Sequence, residues 1–358
     1  MNNLDDVAAM KKADPMDVLG STGMYPDQCA VAWEASQKVA FPDEYKNVKN
    51  IIVAGMGGSR FTPKTVGSLF RKKITVPYEI CEDYKLPGYV NGESLVILSS
   101  YSGSTEEVLS CGQDALARGA KIAGIMKEGS TIAKFLTDNK APSYLFDAKF
   151  NPCGQPRIGG GYLLMGHAGF LKSLGFLSVD DKEVTDAIAF AREYGKKLTA
   201  DVPEKDNPAK QLARFLKDKH PFIITAEFLK GFGNGFANQI NETAKNISDP
   251  RYISEMNHHM LEGLQYPASM HQNAVFVFIL SHCYSDPIKK RFLITKDVVT
   301  KQNVATRDIE LTGPNKISQV LEAFTLSGYA TYYMAMLSGV DPVAIPWVDY
   351  FKAELAKT

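Results

Sequence analysis

The sequence has few cysteines, no excess charge of either sign and no long apolar run. Its five cysteines are widely spaced and include no Cys-x-x-Cys pair, so we predict neither a disulfide framework nor a zinc site. Forty basic and forty acidic side chains give a net charge of zero, which argues against a nucleic-acid or anionic-membrane partner. The first residues are acidic and interrupted by Pro15, and no run reaches the roughly 18 apolar residues of a membrane helix. We therefore expect a cytoplasmic protein with no bound metal.

The sequence does contain a strand–loop–helix pattern that recurs in two parts of its 358 residues. Short apolar runs rich in branched side chains each precede a loop and a helical pattern. They lie at residues 51–55, 94–99 and 121–126 in the first part, and at 221–226 and 274–281 in the second. The alternation predicts an α/β fold with two mainly parallel sheets flanked by helices. The segments 95–103 and 276–286 resemble each other, which indicates duplication of one unit.

We expect the chain to divide into four segments, since domains average about 150 residues and this length suits two or three of them. Residues 1–44 are predicted to be an N-terminal helical segment, and residues 45–150 a first α/β domain. Residues 151–205 lose the strand pattern and are predicted to be a helical connector. Residues 206–358 are then a second α/β domain that ends in a C-terminal helix.

Glycine-rich residues Gly55–Ser59 lie directly between the first predicted strand and its helix. At such a junction, unpaired backbone N–H groups and the positive end of the helix dipole attract an anion. Arg60 breaks the dinucleotide-binding glycine pattern, and no Gly-Lys-Ser/Thr follows for a Walker A loop, so a nucleotide is disfavoured. Taken alone, the loop is explained equally well as a tight turn that needs a positive φ.

A second loop, Ser99–Thr105, carries five hydroxyl side chains besides that of tyrosine. Adjacent parallel strands bring their loops together at the carboxyl edge of the sheet, where α/β proteins bind ligands. A capping box of Ser104 with Glu107 accounts for one hydroxyl and leaves the others available. Hydroxyls and backbone amides with little fixed positive charge suit a phosphomonoester of a small metabolite better than a polyphosphate with magnesium.

The motif Gly-Met-Gly-Gly-Ser, followed about forty residues later by Ser-Tyr-Ser-Gly-Ser-Thr, resembles a sugar isomerase (SIS) domain. Two such domains in tandem, over roughly residues 45–358, resemble the bifunctional phosphoglucose/phosphomannose isomerases of the phosphoglucose isomerase superfamily. The resemblance implies two SIS-type domains, each a flavodoxin-like three-layer αβα sandwich. It also implies that both loops bind the phosphate of a hexose 6-phosphate, through Gly57, Gly58, Ser59, Ser100, Ser102 and Thr105. The corresponding loop of the second half, residues 282–287, lacks the Gly-Ser-Thr and carries Asp286, so we expect no phosphate there.

Aldose–ketose isomerisation needs a base that moves a proton between C2 and C1 and a group that stabilises the enediolate. Glu242 lies on a predicted helix away from the apolar stripe, a position typical of a solvated surface residue. The segment Asn-Glu-x-Ala-Lys that contains it nevertheless resembles the family's catalytic-base motif, which implies that Glu242 is the base. Arg157 alone would be a surface arginine, yet Pro156-Arg157 resembles the family's enediolate-stabilising arginine. The permanent charge and planar donors of arginine suit that role.

Ring opening requires an acid and a base, and the segment around Asn257 resembles the family motif Asn-His-Asn-Glu. Alignment on Asn257 implies that His258 is the ring-opening histidine. The sequence departs from the motif at His259 and Met260, so which of the two histidines faces the site stays open. A metal site is disfavoured because no carboxylate has ligand spacing to both histidines.

A Phe-Lys-x-x-Leu segment near the end resembles the family's segment with a ring-opening lysine, which implies Lys352 in that role, with Lys357 as the less favoured substitute. The resemblance as a whole implies a cofactor-free isomerase of glucose 6-phosphate and fructose 6-phosphate that acts through a cis-enediol. It also implies a homodimer, in which the histidine comes from the neighbouring subunit. Ile345, close to where relatives carry a hydroxyl residue, leaves mannose 6-phosphate open as a substrate.

Three alternatives remain at this point. Another SIS enzyme, such as an aminosugar-phosphate isomerase or deaminase, would share the two loops but not Glu242 with Lys352. A non-catalytic sugar-phosphate sensor would need only the loops, although no helix-turn-helix segment or basic patch is visible. The third alternative is an enzyme that forms a Schiff base between a lysine and its substrate, and borohydride trapping with substrate would reveal it.

Overall fold

The structure, a computed structural model, describes residues 3–355 and 357. The strands in this part of the chain are β1 (Asn50–Ala54), β2 (Tyr78–Cys81), β3 (Ser94–Ser100), β4 (Lys121–Lys127), β5 (Ser143–Phe146), β6 (His220–Thr225), β7 (Asp249–Tyr252), β8 (Ala274–Ser281) and β9 (Ala305–Leu311). The helices are α1 (Val7–Ala13), α2 (Val18–Gly23), α3 (Tyr25–Ser36), α4 (Gly58–Leu69), α5 (Glu106–Ala117), α6 (Thr131–Asp138), α7 (Gly160–Ser173), α8 (Asp181–Gly195), α9 (Pro208–Leu216), α10 (Lys230–Thr243), α11 (Met260–Gly263), α12 (Met270–Asn273), α13 (Asp286–Lys301), α14 (Lys316–Ser338) and α15 (Pro346–Leu355).

The strands form two parallel sheets. Their orders are β2-β1-β3-β4-β5 and β7-β6-β8-β9, and each neighbouring pair runs parallel. The strands β1, β3, β6 and β8 coincide with apolar runs of the sequence because they are buried on both faces. The edge strands β2, β5, β7 and β9 are short or carry polar residues, and the sequence pattern does not predict them. The prediction of two mainly parallel sheets flanked by helices is confirmed.

The segment predicted as a connector, residues 151–205, contains α7 and α8, and α7 packs directly on the first sheet. The Nε2 atom of His167 on α7 lies 2.9 Å from the hydroxyl oxygen of Ser99 in β3. The residues from Gly160 to Leu171 are all buried, which explains why this stretch is apolar all round and rich in glycine. The boundaries of the four predicted segments stay a prediction.

Helix α14 lies in the centre of the molecule. The residues from Ile317 to Leu337 are all buried, and the helix packs against α8, α9 and α10. Glu322 is buried within it, and its carboxylate accepts hydrogen bonds from the backbone N–H groups of Thr312 and Gly313. A buried carboxylate is tolerated only with such partners. One continuous hydrophobic cluster, to which α14 contributes, extends from the N-terminal helices to the second sheet, and a second cluster lies between the first sheet and α5 and α6.

The two α/β units are joined where α4 crosses α10. Glycines of α10 allow this close approach, because a Cβ atom on Gly231 would lie 2.2 Å from the Cα of Thr65 in α4. One on Gly235 would lie 2.8 Å from the ring of Phe61. Across the same contact, Nη1 of Arg60 donates a hydrogen bond to Oδ1 of Asn234 at 2.9 Å.

Replacement of Gly231 by alanine should therefore destabilise the protein by about 2 kcal/mol or more, because the new methyl group meets backbone atoms that cannot rotate aside. The midpoint of urea unfolding measures this effect. Gly263→Ala is the matched control, since no atom lies within 4 Å of a Cβ at that position. The control should change stability by less than about 0.5 kcal/mol. Equal midpoints for the two variants would contradict the described packing of α4 on α10.

Candidate active site

The glycine-rich loop after β1 turns sharply into α4. Gly57 has φ of +49°, in the region that favours glycine, and a Cβ atom on Gly55 would lie 2.5 Å from the carbonyl oxygen of Ser59. A Cβ atom on Gly58 would lie 3.6 Å from the backbone nitrogen of Arg157. Gly55 and Gly57 thus create the turn, and the segment that carries Arg157 lies at ordinary van der Waals distance from the start of α4.

The hydroxyl-rich loop after β3 is organised by Ser100. The buried Ser100 hydroxyl oxygen accepts a hydrogen bond from the backbone N–H of Gly103 at 3.0 Å and lies 2.8 Å from the hydroxyl oxygen of Thr105. Thr105 is the N-cap of α5, but its side chain makes no capping hydrogen bond. The capping box considered for Ser104 is therefore wrong, because the helix begins one residue later than that motif requires.

The two loops are tied together by Ser59. Its hydroxyl oxygen accepts a hydrogen bond from the backbone N–H of Tyr101 at 2.8 Å, and the Ser99 hydroxyl donates to the Ser59 carbonyl oxygen at 2.9 Å. Ser59 is almost fully buried, whereas Ser102 and Ser104 are exposed. The side chain of Ser59 thus holds the loops in register, and the hydroxyl of Ser102 is open to solvent.

Arg157 is buried, with 1% of its side chain exposed, and its guanidinium group is held by several acceptors. Nε donates to the Thr243 hydroxyl at 3.1 Å and Nη1 to the Gln155 side-chain oxygen at 2.8 Å. Nη2 donates to the carbonyl oxygens of Pro342 and Val343 at 2.5 and 2.9 Å. Burial lowers the pKa of the guanidinium, and the nearby Glu242 opposes that shift. The orientation of this cation is therefore fixed by the protein.

Glu242 lies in the last turn of α10, and its Oε2 is 3.6 Å from Nη1 of Arg157. Its side chain is 32% exposed, so the carboxylate lies at the rim of the buried guanidinium. Burial raises the pKa of Glu242, and the positive charges of Arg157, Lys245 and Lys352 oppose that rise. A carboxylate with a raised pKa is suited to general acid–base chemistry near neutral pH.

Lys245 is a member of this cluster that the sequence analysis does not select. Its ammonium group donates to the carbonyl oxygen of Glu242 at 2.8 Å, at the end of α10. Burial and the charge of Arg157 lower the pKa of Lys245 to about 8, while Asp341 and Glu242 oppose the shift. The signal for Lys245 is present in the motif Asn-Glu-x-Ala-Lys, of which it is the last residue.

The predicted ring-opening groups are both exposed. His258 ends a short 3-10 turn, Glu255–His258, and among the described residues it has no hydrogen bond or ion pair with Arg157 or Glu242. The neighbouring His259 is instead 3.0 Å from a carboxylate oxygen of Glu255. Lys352 lies on α15, close enough for its charge to lower the pKa of Glu242. The structure thus brings Glu242, Arg157 and Lys352 towards one place and leaves His258 outside it.

In the second unit, the loop of residues 282–287 is in contact with a carboxylate. The hydroxyl of Ser285, the N-cap of α13, donates to Oε1 of Glu227 at 2.5 Å, and its backbone N–H donates to Oε2 at 3.3 Å. Glu227 follows β6, the counterpart of β1, and has φ of +43°. The carboxylate therefore lies at the helix N-terminus where an anion would bind. This contact gives a physical basis for the expected lack of phosphate there, which stays a prediction.

The described residues include neither a candidate metal centre nor a candidate membrane span. Among residues 3–355 and 357, no group of three or more His, Cys, Asp or Glu side chains could hold a metal ion. In the same part of the chain, no helix is both long and apolar enough to cross a membrane.

Comparison with known proteins gives relatives that match most of the chain. Residues 205–355 match the family described as bacterial phospho-glucose isomerase C-terminal SIS domain. A bifunctional phosphoglucose/phosphomannose isomerase of Caldicellulosiruptor bescii is 29% identical over 343 residues, which cover 93% of this chain and 97% of the relative. A protein of the same name from Thermoplasma acidophilum is 26% identical over 307 residues, with 86% and 90% covered. The solved structure of a hypothetical protein from Thermus thermophilus has a TM-score of 0.73 at 15% identity, covers 99% of this chain and 93% of its own, and supports the fold alone.

The different positions of Ser59 and Ser102 predict different effects of removing each hydroxyl. Ser59→Ala should destabilise the protein by about 1–3 kcal/mol, because the buried N–H of Tyr101 loses its acceptor. Ser102→Ala should change stability by less than about 0.5 kcal/mol because Ser102 is exposed. Urea unfolding midpoints measure both effects, and an unchanged midpoint for Ser59→Ala would contradict the structural role of its hydroxyl.

Proposed function

We propose that the chain interconverts glucose 6-phosphate and fructose 6-phosphate, with mannose 6-phosphate as a further aldose substrate, on the basis of its similarity to bifunctional phosphoglucose/phosphomannose isomerases and to the bacterial phospho-glucose isomerase C-terminal SIS domain. The observation that carries the proposal is the pair of Arg157 and Glu242, whose charged groups are 3.6 Å apart. A fixed cation and a carboxylate with a raised pKa are the two groups that enediol chemistry needs.

The substrate phosphate binds, in this proposal, at the two loops after β1 and β3. The backbone N–H groups of Gly57 and Gly58 and those at the start of α5 offer donors, supported by the positive ends of both helices. Ser102 and Thr105 add hydroxyls, since neither caps the helix with its side chain. Ser100 contributes by holding Thr105, and Ser59 by joining the loops.

The chemical step then runs between Glu242 and Arg157. The carboxylate of Glu242 takes the proton from C2 of the open-chain aldose, which leaves an enediolate with negative charge on O1. Nη1 of Arg157 faces this region and stabilises that charge, because its other hydrogen bonds hold it in one orientation. The proton on O2 moves to O1, which gives the enediolate with its charge on O2, and Glu242 then returns its proton to C1. The ketose forms without a redox cofactor or a metal.

Ring opening precedes this step and requires a proton at the ring oxygen and removal of one from O1. We assign these transfers to His258 and Lys352 as a proposal. Lys352 is within electrostatic reach of Glu242 in the same chain, whereas His258 is exposed and has no contact with the pair. This separation supports a homodimer in which each subunit supplies His258 to its partner's site.

The exposed face of α15 also supports the homodimer. Trp347 is 82% exposed, and Tyr350, Phe351 and Leu355 lie on the same helix with large exposed surfaces. A contiguous apolar surface of this kind is typical of an interface. We also propose a cytoplasmic location, in line with five unpaired cysteines, and a role in carbohydrate metabolism.

Replacement of Glu242 by glutamine should abolish the interconversion of glucose 6-phosphate and fructose 6-phosphate, with a loss of about 10²–10⁴-fold in kcat, because the amide cannot accept the C2 proton. Affinity for fructose 6-phosphate, measured by calorimetry, should stay within a few-fold, since the phosphate loops are unchanged. Exchange of the C2 proton with deuterium oxide should stop as well.

Glu310→Gln, an exposed glutamate on β9, is the matched control and should retain full activity. An active Glu242→Gln variant would overturn the mechanism. Binding of fructose 6-phosphate by the wild-type protein without any turnover would instead favour a sugar-phosphate sensor. Turnover of an aminosugar phosphate alone would favour the other SIS enzymes.

The shared site can be tested by mixing two inactive variants. If His258 acts in the partner's site, a mixture of Glu242→Gln and His258→Asn subunits, unfolded and refolded together, should regain up to about a quarter of wild-type activity through its mixed dimers. Each variant refolded alone should stay inactive. His259→Asn should retain activity, since its ring contacts Glu255 on the surface. Absence of any recovery in the mixture, with dimers present, would place the histidine in its own subunit's site or outside the reaction.

A further inference from the structure

Two cysteines of the first unit lie close together, outside the groups used above. Sγ of Cys81, at the end of β2, is 3.9 Å from Sγ of Cys111 in α5. Both side chains are buried, and both sulfurs also face backbone carbonyl oxygens of the loop that follows β2. The other three cysteines have no cysteine neighbour within such a distance in the described chain.

We propose that Cys81 and Cys111 are a thiol-oxidation site, which a hydroperoxide converts reversibly into a disulfide that weakens sugar-phosphate binding. The thiolate of Cys81 attacks the terminal peroxide oxygen, the O–O bond breaks, and a sulfenic acid forms on Cys81 while the other oxygen takes up a proton and leaves as the hydroxyl compound, which is water when the oxidant is hydrogen peroxide. The sulfur of Cys111 then attacks the sulfur of Cys81 and displaces the sulfenic oxygen, which leaves as water with the thiol proton of Cys111. Two thiols and one hydroperoxide give one disulfide, one water and one hydroxyl compound.

Cys81 is suited to be the attacking group. The hydrogen bond from Cys111 stabilises its thiolate and lowers the pKa of Cys81 to about 7, whereas burial opposes the shift. The same hydrogen bond and burial raise the pKa of Cys111. The thiolate is the nucleophile in thiol oxidation, so Cys81 is the better nucleophile of the two.

Access to the pair depends on the loop that covers it. Residues 82–85 are exposed, and from α5 only the Ser110 hydroxyl, which donates to the Tyr84 carbonyl at 2.9 Å, and the Cys111 sulfur face their backbone. The residues that follow are held more firmly, since Asp114 accepts from the Leu86 N–H and Arg118 donates to the carbonyls of Leu86 and Pro87. A loop with few buried apolar contacts opens at low cost in free energy. A small hydroperoxide can therefore reach the sulfurs when the loop opens.

Both ends of this pair connect directly to the phosphate loops. Glu82, the residue after Cys81, forms an ion pair with Arg60 in the first turn of α4. Cys111 lies on α5, which begins immediately after Thr105. A disulfide requires about 2.05 Å between the sulfurs, so closing the 3.9 Å gap repacks α5 against the end of β2, and in this proposal that change displaces the hydroxyl-rich loop.

The test treats the full-length protein with hydrogen peroxide and counts free thiols after unfolding. The count should fall from five to three in the wild type, and peptide mapping should join the peptides that contain Cys81 and Cys111. These two readouts do not depend on the proposed isomerase function. Calorimetry with fructose 6-phosphate should then give an affinity about tenfold weaker for the oxidised protein, and a thiol reductant should restore it.

Matched variants make the result decisive. Cys111→Ser and Cys111→Ala should lose the internal disulfide and keep the affinity of the reduced protein after peroxide treatment. Cys283→Ser, at a cysteine outside the pair, should still lose two thiols and show the tenfold weakening. Retention of all five thiols, a disulfide between other cysteines, or unchanged affinity in the disulfide form would each overturn the proposal.

Discussion

The buried guanidinium of Arg157 holds together three separate segments of the chain, and the arrangement of the candidate site depends on it. Its N–H groups donate hydrogen bonds to Thr243 at the end of α10, to Gln155 in its own loop, and to the carbonyl oxygens of Pro342 and Val343 after α14. Removing such a cation from water costs several kcal/mol, and only a full set of hydrogen bonds offsets the cost. The contacts that satisfy the charge therefore also fix Glu242 and the segment before α15 relative to the first unit.

The glycines of the two units make this convergence possible. Gly55 and Gly57 let the chain turn sharply into α4, and Gly231 lets α10 approach the same helix further along. The loops that offer anion donors and the helix that carries the carboxylate are thus positioned by one crossing of α4 and α10. Because the crossing is made of backbone contacts, little adjustment by side-chain rotation is available.

The sequence predicts the two α/β units well, because buried parallel strands such as β3 and β8 have an unmistakable apolar run. It does not predict edge strands such as β7, where tertiary pairing and not local pattern decides the conformation. In the candidate site, too, local features can be predicted and features that depend on tertiary contacts cannot. The local sequence motifs predict the turn at Gly57 and the hydroxyl-rich loop after β3. They do not predict the burial of Arg157, because Thr243 and Pro342, which accept its hydrogen bonds, are far from it in the sequence. Periodicity alone places Glu242 on the surface, and its one-third exposure next to a buried cation shows why that inference is insufficient.

The carboxylate of Glu227 at the start of α13 has a consequence for how the protein responds to its surroundings. A group tethered within the same chain as its binding partner is present at an effective concentration far above that of a free metabolite. The start of α13 is therefore already paired with a carboxylate of its own chain, whatever the concentration of sugar phosphate. If the first unit alone takes up sugar phosphate, as the proposed function has it, each chain should titrate with a single ligand and without cooperativity between its halves.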